Sequence, residues 1–139
     1  MKTRDKTDMQ RFMLKSKIHR ARITHADVHY EGSLTLDREL LNAGDIVPFE
    51  EVHVWNVTRG TRFRTYAMLG EQGSGVVSAN GAAALLVEPG DLVIIATFTL
   101  VDDAELRGFQ PRIVFVDENN RIKSTKTEEV AGPMQLTEY

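Results

Sequence analysis

The chain contains no cysteine, so disulfides, thiolate nucleophiles and thiolate metal ligands are excluded, and nothing argues for an oxidising compartment. No apolar run approaches the roughly 18 residues that a membrane-spanning helix needs. The opening Met-Lys-Thr-Arg-Asp-Lys-Thr-Asp lacks the apolar centre of a secretory signal. A cytoplasmic protein that does not engage membranes is therefore expected. Metal signatures are missing too. There is no His-Glu-x-x-His, and His25 and His29, four apart, fall in a strand-like run that spreads them along one face instead of aligning them as a helix would. No metal site is expected. The stretch "GEQGSG", Gly70 to Gly75, lacks the Gly-Lys-Ser/Thr ending of a phosphate loop and reads as a turn between strands.

What is present suffices for one core: 139 residues, 42% hydrophobic and 27% charged, fit a single domain spanning residues 1–139. The net charge of −3 is unevenly spread, because residues 1–22 carry eight Lys/Arg and only two Asp, leaving an acidic remainder. A basic arm on an acidic body is compatible with a nucleic-acid-binding β-barrel, which would stay intact and be retained on DNA in a salt-sensitive way. No aromatic interleaving or recognition-helix pattern accompanies the charge. Basic strand ends facing an acidic neighbour or an anionic small molecule are the better reading, and no nucleic-acid partner is expected.

The periodicity is mostly two. "KIHRARITHADVHY" is rich in β-branched residues, "EVHVWNVT" and "RFRTYAML" alternate, "GVVSA" and "DLVIIATFTLV" are short apolar runs, and "PRIVFVDENNRI" is a strand entering an Asn-Asn turn. Six or seven short strands follow. Helical pieces are brief: "LDRELLNAG" has Asp37 as N-cap and Gly44 as stop, "NGAAALLVEPG" starts at Asn80, and "DDAELRGF" ends near Gly108. Together these predict a mainly β fold, a small β-barrel carrying short helices. Residues 1–12 and 124–139 are polar with little pattern and are expected to be flexible.

Two segments hold more than scaffolding. In "NGAAA", Asn80 to Ala84, small residues open a helix and leave backbone N–H groups facing open space, a geometry that suits a carboxylate or phosphate; close packing against a neighbouring strand explains the same residues equally well. In "RFRTY", a regular strand puts Arg62, Arg64 and Tyr66 on one face and Phe63 and Thr65 on the other. A third feature is "HYEGSLTLD", where strand-like alternation begins abruptly after Gly32-Ser33. Alone it is a bend.

Taken in order, "MLKSKIHRARITHADVHYEGS", "WNVTRGTRFRTYA", "GSGVVSANGAAA" and "GDLVIIA" resemble the aspartate 1-decarboxylases over roughly Met13 to Ile122. The lead-in before Met13 is longer than the family's, and Leu85 stands where the family has a His or another polar residue. The resemblance implies a double-psi β-barrel, a homotetramer with sites at subunit interfaces, and conversion of L-aspartate to β-alanine and CO2 through a Schiff base, for pantothenate and coenzyme A biosynthesis. It also implies a covalently bound pyruvoyl group made from Ser33 when the chain cleaves itself into residues 1–32 and 33–139, in some members with a maturation helper protein. Decarboxylating an α-amino acid needs such a carbonyl, because unaided side chains offer no electron sink. By resemblance Gly32, Ser33 and Thr65 serve processing, Ser33 and Tyr66 catalysis, and Thr65, Gly81, Ala82, Ala83, Lys17 and Arg62 substrate binding. Tyr30, His19 and Asn80 line the same pocket. An uncleaved homologue that keeps the fold without the chemistry is the alternative within the same family.

Overall fold

The computed structural model describes residues 9–133. Nine strands form: β1 (Gln10–Arg22), β2 (His25–Asp27), β3 (Ser33–Asp37), β4 (Glu51–Asn56), β5 (Arg62–Gly70), β6 (Val77–Asn80), β7 (Leu92–Asp102), β8 (Arg112–Val116) and β9 (Ile122–Lys126). One α-helix, α1 (Arg38–Gly44), and two 3₁₀ helices, Gly81–Leu86 and Asp103–Gly108, interrupt them. The strands lie in the order β2-β6-β3-β5-β4-β7-β1-β8-β9. Past the end of β1 the chain reaches back to β6: Thr24 N–H donates to the Val77 carbonyl at 2.8 Å, while the Thr24 hydroxyl accepts from Val77 N–H at 3.0 Å. The sheet thereby curls into a small barrel, as expected. Its parallel pairs, β3 with β5, β1 with β8 and β2 with β6, each need a crossover rather than a hairpin, in keeping with the double-psi form.

Alternation builds the interior. Leu34 and Leu36 of β3, Val52 and Val54 of β4, Val77 and Ala79 of β6, and Val93 and Ile95 of β7 are fully buried, and α1 plugs one end with Leu40 and Leu41. Each such Leu, Ile or Val stabilises the fold by about 1.5–3 kcal/mol relative to exposure. Two buried carboxylates tie the loops to this core. Asp37 caps α1 through Glu39 N–H (2.9 Å) and also accepts from the N–H groups of Gly73 (3.0 Å) and Gly75 (2.8 Å). The "GEQGSG" turn thus wraps a carboxylate of its own chain. Gly75 has to be glycine there, since its φ is +71° and a Cβ would sit 2.6 Å from the Asn119 carbonyl oxygen. Asp91 accepts from Arg59 Nε (2.6 Å), Asn56 Nδ2 (2.8 Å) and Glu88 N–H (2.9 Å). The Arg59 hydrogen bond is the main reason its carboxyl is held down at about 2.

Several expectations need correcting. Among the described residues there are nine strands, because "KIHRARITHADVHY" breaks into β1 and β2 and the barrel also recruits β9. β1 begins at Gln10, inside the segment expected to be flexible, because β7 is long enough to pair with it as far as Asp102. β9 takes Ser124 to Lys126 from the other end as partners of β8. The remaining expectations of flexible ends, at residues 1–8 and 134–139, lie outside the described residues. The helix after Asn80 is 3₁₀, only six residues long and without a side-chain cap. Among the described residues no helix is long and apolar enough to cross a membrane.

Candidate active site

Ser33 is the first residue of β3, which sits between β6 and β5. On the β6 side it pairs directly with Asn80. On the β5 side the parallel register begins at Leu34 opposite Ala67, so extending it by one step sets Ser33 level with Tyr66. Leu34, Ala67 and Ala79 point into the core. Ser33, Tyr66 and Asn80 therefore share the opposite face. Asn80 donates through Nδ2 to the Ser33 hydroxyl (3.4 Å) and to that of Thr35 (3.1 Å), and accepts at Oδ1 from Ser78 (3.0 Å). Although it faces outward, Ser33 is only 3% exposed.

Gly32 and Gly81 fit together. Gly81 has φ +64°, and a Cβ on it would lie 2.6 Å from Gly32 Cα, 2.8 Å from Gly32 N and 3.2 Å from the Tyr30 carbonyl oxygen. The backbone preceding Ser33 is therefore braced against the start of the 3₁₀ helix, which only a glycine permits. Close packing and an open helix start, alternatives when "NGAAA" is read by itself, coexist: Gly81 is buried, Ala83 half-buried and Ala82 exposed. Tyr30, Thr35, Ser78 and Asn80 border a cavity of about 540 Å³ beside this brace.

β5 alternates as the sequence predicts. Arg62, Arg64 and Tyr66 are exposed and pair with Trp55, His53 and Glu51 of β4. Tyr66 stacks on Phe49 with centroids 6.2 Å apart, and the Arg62 guanidinium lies 5.4 Å from the centre of the Trp55 ring. Thr65, opposite the buried Val52, points to the inner face. The two neighbours are thus split, Tyr66 beside Ser33 on one face and Thr65 on the other.

Lys17 and His19 lie elsewhere. β1 is not a hydrogen-bonded neighbour of β3; it pairs with β7 and β8. The Lys17 ammonium pairs with the Glu129 carboxylate, and His19 meets the edge of Phe115 at 5.5 Å. Desolvation first, then the cations Lys17 and Arg20, lower the His19 pKa below its ordinary 6.5, while Glu129 acts in the opposite direction.

The sequence model of the family described as aspartate decarboxylase matches residues 9–123, nearly all of the barrel. The chain belongs to the aspartate decarboxylase family. Aspartate 1-decarboxylase of Myxococcus xanthus (strain DK1622) is 57% identical over 127 residues, covering 91% of this chain and 98% of that protein. Aspartate 1-decarboxylases of Chromobacterium violaceum, 57% identical over 118 residues, and Paraburkholderia xenovorans (strain LB400), 56% over 119, each cover 85% of this chain and 94% and 93% of their own lengths.

In this aspartate decarboxylase family member, the residues singled out from sequence fall into two groups within one chain. Gly32, Ser33, Tyr30, Asn80 and Gly81 meet at the start of β3, with Tyr66 on the adjoining strand and Thr65 on that strand's other face. Lys17 and His19 have other neighbours, Glu129 and Phe115, and Arg62 lies on β5 itself, four residues before Tyr66 on the same outward face. Leu85, near the end of the 3₁₀ helix, is 76% exposed. Sequence reasoning missed Ser78, Thr35 and Glu129. Period-two spacing could have found the first two, since Ser78 is two before Asn80 and Thr35 two after Ser33. Nothing local signals that Glu129 meets Lys17, 112 positions away.

Proposed function

We propose that this protein decarboxylates L-aspartate to β-alanine and CO2, feeding pantothenate biosynthesis, with a covalently bound pyruvoyl group that it makes from its own Ser33. The observation that carries this reading is the braced Gly32–Ser33 peptide between Asn80, Gly81 and Tyr66, in a chain of the aspartate decarboxylase family. The residues fit the group: a small residue is needed before the cleaved bond, a donor reaches the serine oxygen, and the glycine cradle leaves no room for a larger side chain.

Maturation follows from the chain's own atoms. Ser33 Oγ adds to the Gly32 carbonyl carbon, the Gly32–Ser33 C–N bond breaks, and the hydroxyl proton ends on the freed Ser33 nitrogen. Loss of the Ser33 α-proton then expels Oγ within the Gly32 carboxylate, and water replaces the nitrogen, which leaves as ammonia. Thr65 stabilises the oxyanion formed on that carbonyl and later contacts substrate. The resulting carbonyl supplies Schiff-base chemistry with the substrate amine, an electron sink for the pair released with CO2.

The remaining residues bind, orient and move a proton. Tyr66 Oη protonates the carbon that has lost CO2. Arg62, with a planar two-point contact, and Lys17, as a point charge, hold substrate carboxylate, together with the N–H groups of Gly81, Ala82 and Ala83. Tyr30, His19 and Asn80 line the pocket. Gripping the side-chain carboxylate while the α-carboxylate stays desolvated selects which one leaves, and glutamate, one methylene longer, misplaces its α-carbon. Because Lys17 and His19 are engaged with Glu129 and Phe115 within the chain, a site using all of these residues is taken to be completed by a second copy, as in a homotetramer whose sites lie at subunit contacts. A maturation helper protein is a further partner by analogy with other family members.

Intact-mass measurement of purified protein tests the reading. Pieces corresponding to residues 1–32 and 33–139 are expected, the larger with a blocked, oxo-bearing amino terminus. A chain that stays at 15.6 kDa after prolonged warming with any helper protein overturns it.

A further inference from the structure

Asn80 makes three side-chain hydrogen bonds, and their directions are linked. Ser78 donates to Oδ1 at 3.0 Å, which leaves Nδ2 to face the hydroxyls of Thr35 at 3.1 Å and Ser33 at 3.4 Å. An amide has one acceptor end and one donor end. Whatever fixes the first fixes the second. Turned the other way, the amide would set its oxygen against Ser33 and could only receive that residue's proton.

We propose that Ser78 and Thr35 are positioning residues for self-cleavage, locking the Asn80 amide so that its N–H points at Ser33 Oγ. This rests on the reading that Ser33 is the processed residue. Oγ is the atom on which negative charge grows twice, first as its proton departs during attack on Gly32 and again as it leaves within the Gly32 carboxylate. A donor already aimed at that oxygen stabilises both moments without reorganising. At 3.4 Å the contact is long for a neutral hydroxyl, and such a contact tightens once the acceptor becomes charged. Thr35 accepts the second Nδ2 hydrogen, so the amide is held at three points while the Ser33 proton stays free to leave. Strand spacing makes the arrangement possible. Ser78 and Asn80 share a face of β6, Ser33 and Thr35 share a face of β3, and the register sets Ser33 opposite Asn80 and Thr35 opposite Ser78.

The test times cleavage of the full chain by intact mass, then measures kcat and KM on protein allowed to cleave completely. Ser78→Ala is expected to slow cleavage about tenfold, the worth of one oriented hydrogen bond, and Ser78→Thr, which restores a hydroxyl, to recover the wild-type rate. Asn80→Asp, nearly isosteric but presenting oxygen at both ends, is expected to abolish cleavage. The opposite amide orientation predicts that Asn80→Asp cleaves as fast as wild type or faster, with the carboxylate taking the Ser33 proton; that result overturns the proposal. So does Ser78→Ala cleaving at the wild-type rate, or Ser78→Thr cleaving as slowly as Ser78→Ala. Should Ser78→Ala fail to fold, the Asn80→Asp arm decides alone. A wild-type chain that never cleaves sinks the underlying reading instead, so the two failures are distinguishable.

Discussion

Around Ser33 the chain supplies its own neighbours: Asn80 by antiparallel pairing, Tyr66 by parallel register, Gly81 by backbone contact. Around Lys17 it supplies an ion pair with Glu129 and an aromatic edge beside His19, but none of the groups that the reaction would use. The difference separates two tasks. Self-cleavage is intramolecular and needs its groups held within one chain, where tethering raises their effective concentration. Gripping a small dicarboxylate needs cations, which in the proposed assembly a second copy would bring. Changes in the first region should therefore block or slow maturation, and changes in the second should leave maturation alone.

Ser33→Ala breaks the first region most completely. With no hydroxyl to add to Gly32, both cleavage and CO2 release from aspartate are expected to vanish, read by intact mass and gas evolution. A cleaved Ser33→Ala protein would refute the scheme. Tyr66→Phe divides that region further, since in the proposed reaction the phenol acts only after CO2 has left. Cleavage should proceed normally while kcat falls by about a hundredfold or more. Undiminished turnover would take the proton-donor role away from Tyr66, and failure to cleave would move Tyr66 into maturation.

The two regions also differ in how far they could be read from the chain. Alternation in "RFRTY" placed Tyr66 and Arg62 on one outward face because side-chain direction in a strand is set by position alone, and Asp37 was legible as a cap because its partner is two residues away. What alternation could not give was pairing. That Ser33 faces Asn80, 47 positions on, depends on which strands the barrel sets side by side. The fit of Gly81 against Gly32 is tertiary packing, and in the sequence Gly81 looks like any helix-start glycine. Lys17 was found by resemblance only, and its ion pair with Glu129 is a tertiary contact. The 3₁₀ form of "GAAALL" was hidden for another reason, since its alanines and leucines favour an α-helix and Pro89-Gly90 and the barrel wall leave room for a short turn only.

Lys17→Gln probes the second region. Cleavage should match wild type, and KM for aspartate should rise roughly tenfold or more, the scale of one charge-assisted hydrogen bond, with a smaller change in kcat. Slowed cleavage in this variant would mean that the two tasks share a residue and that the division drawn above is false.

The smallest expected effect is a shift in the titration of His19, which reports whether the second region is arranged as described. Burial lowers its pKa below 6.5 most, Lys17 and Arg20 lower it further, and Glu129 raises it. In the folded chain the neutral ring is thus favoured. Because the unfolded chain binds more protons in this range, the stability contributed by His19 is complete above about 6.5 and declines as pH falls toward the lower folded value. Lys17→Gln removes a repelling cation, so the His19 pKa should rise. Glu129→Gln removes an attracting anion, so it should fall further. Following the imidazole C–H resonances by NMR across pH 4–8 reads both, at low salt where charge effects are least screened. Shifts of the same sign in the two variants would mean that Lys17 and Glu129 do not flank His19 with opposing fields, and the ion pair across β1 would have to be redrawn.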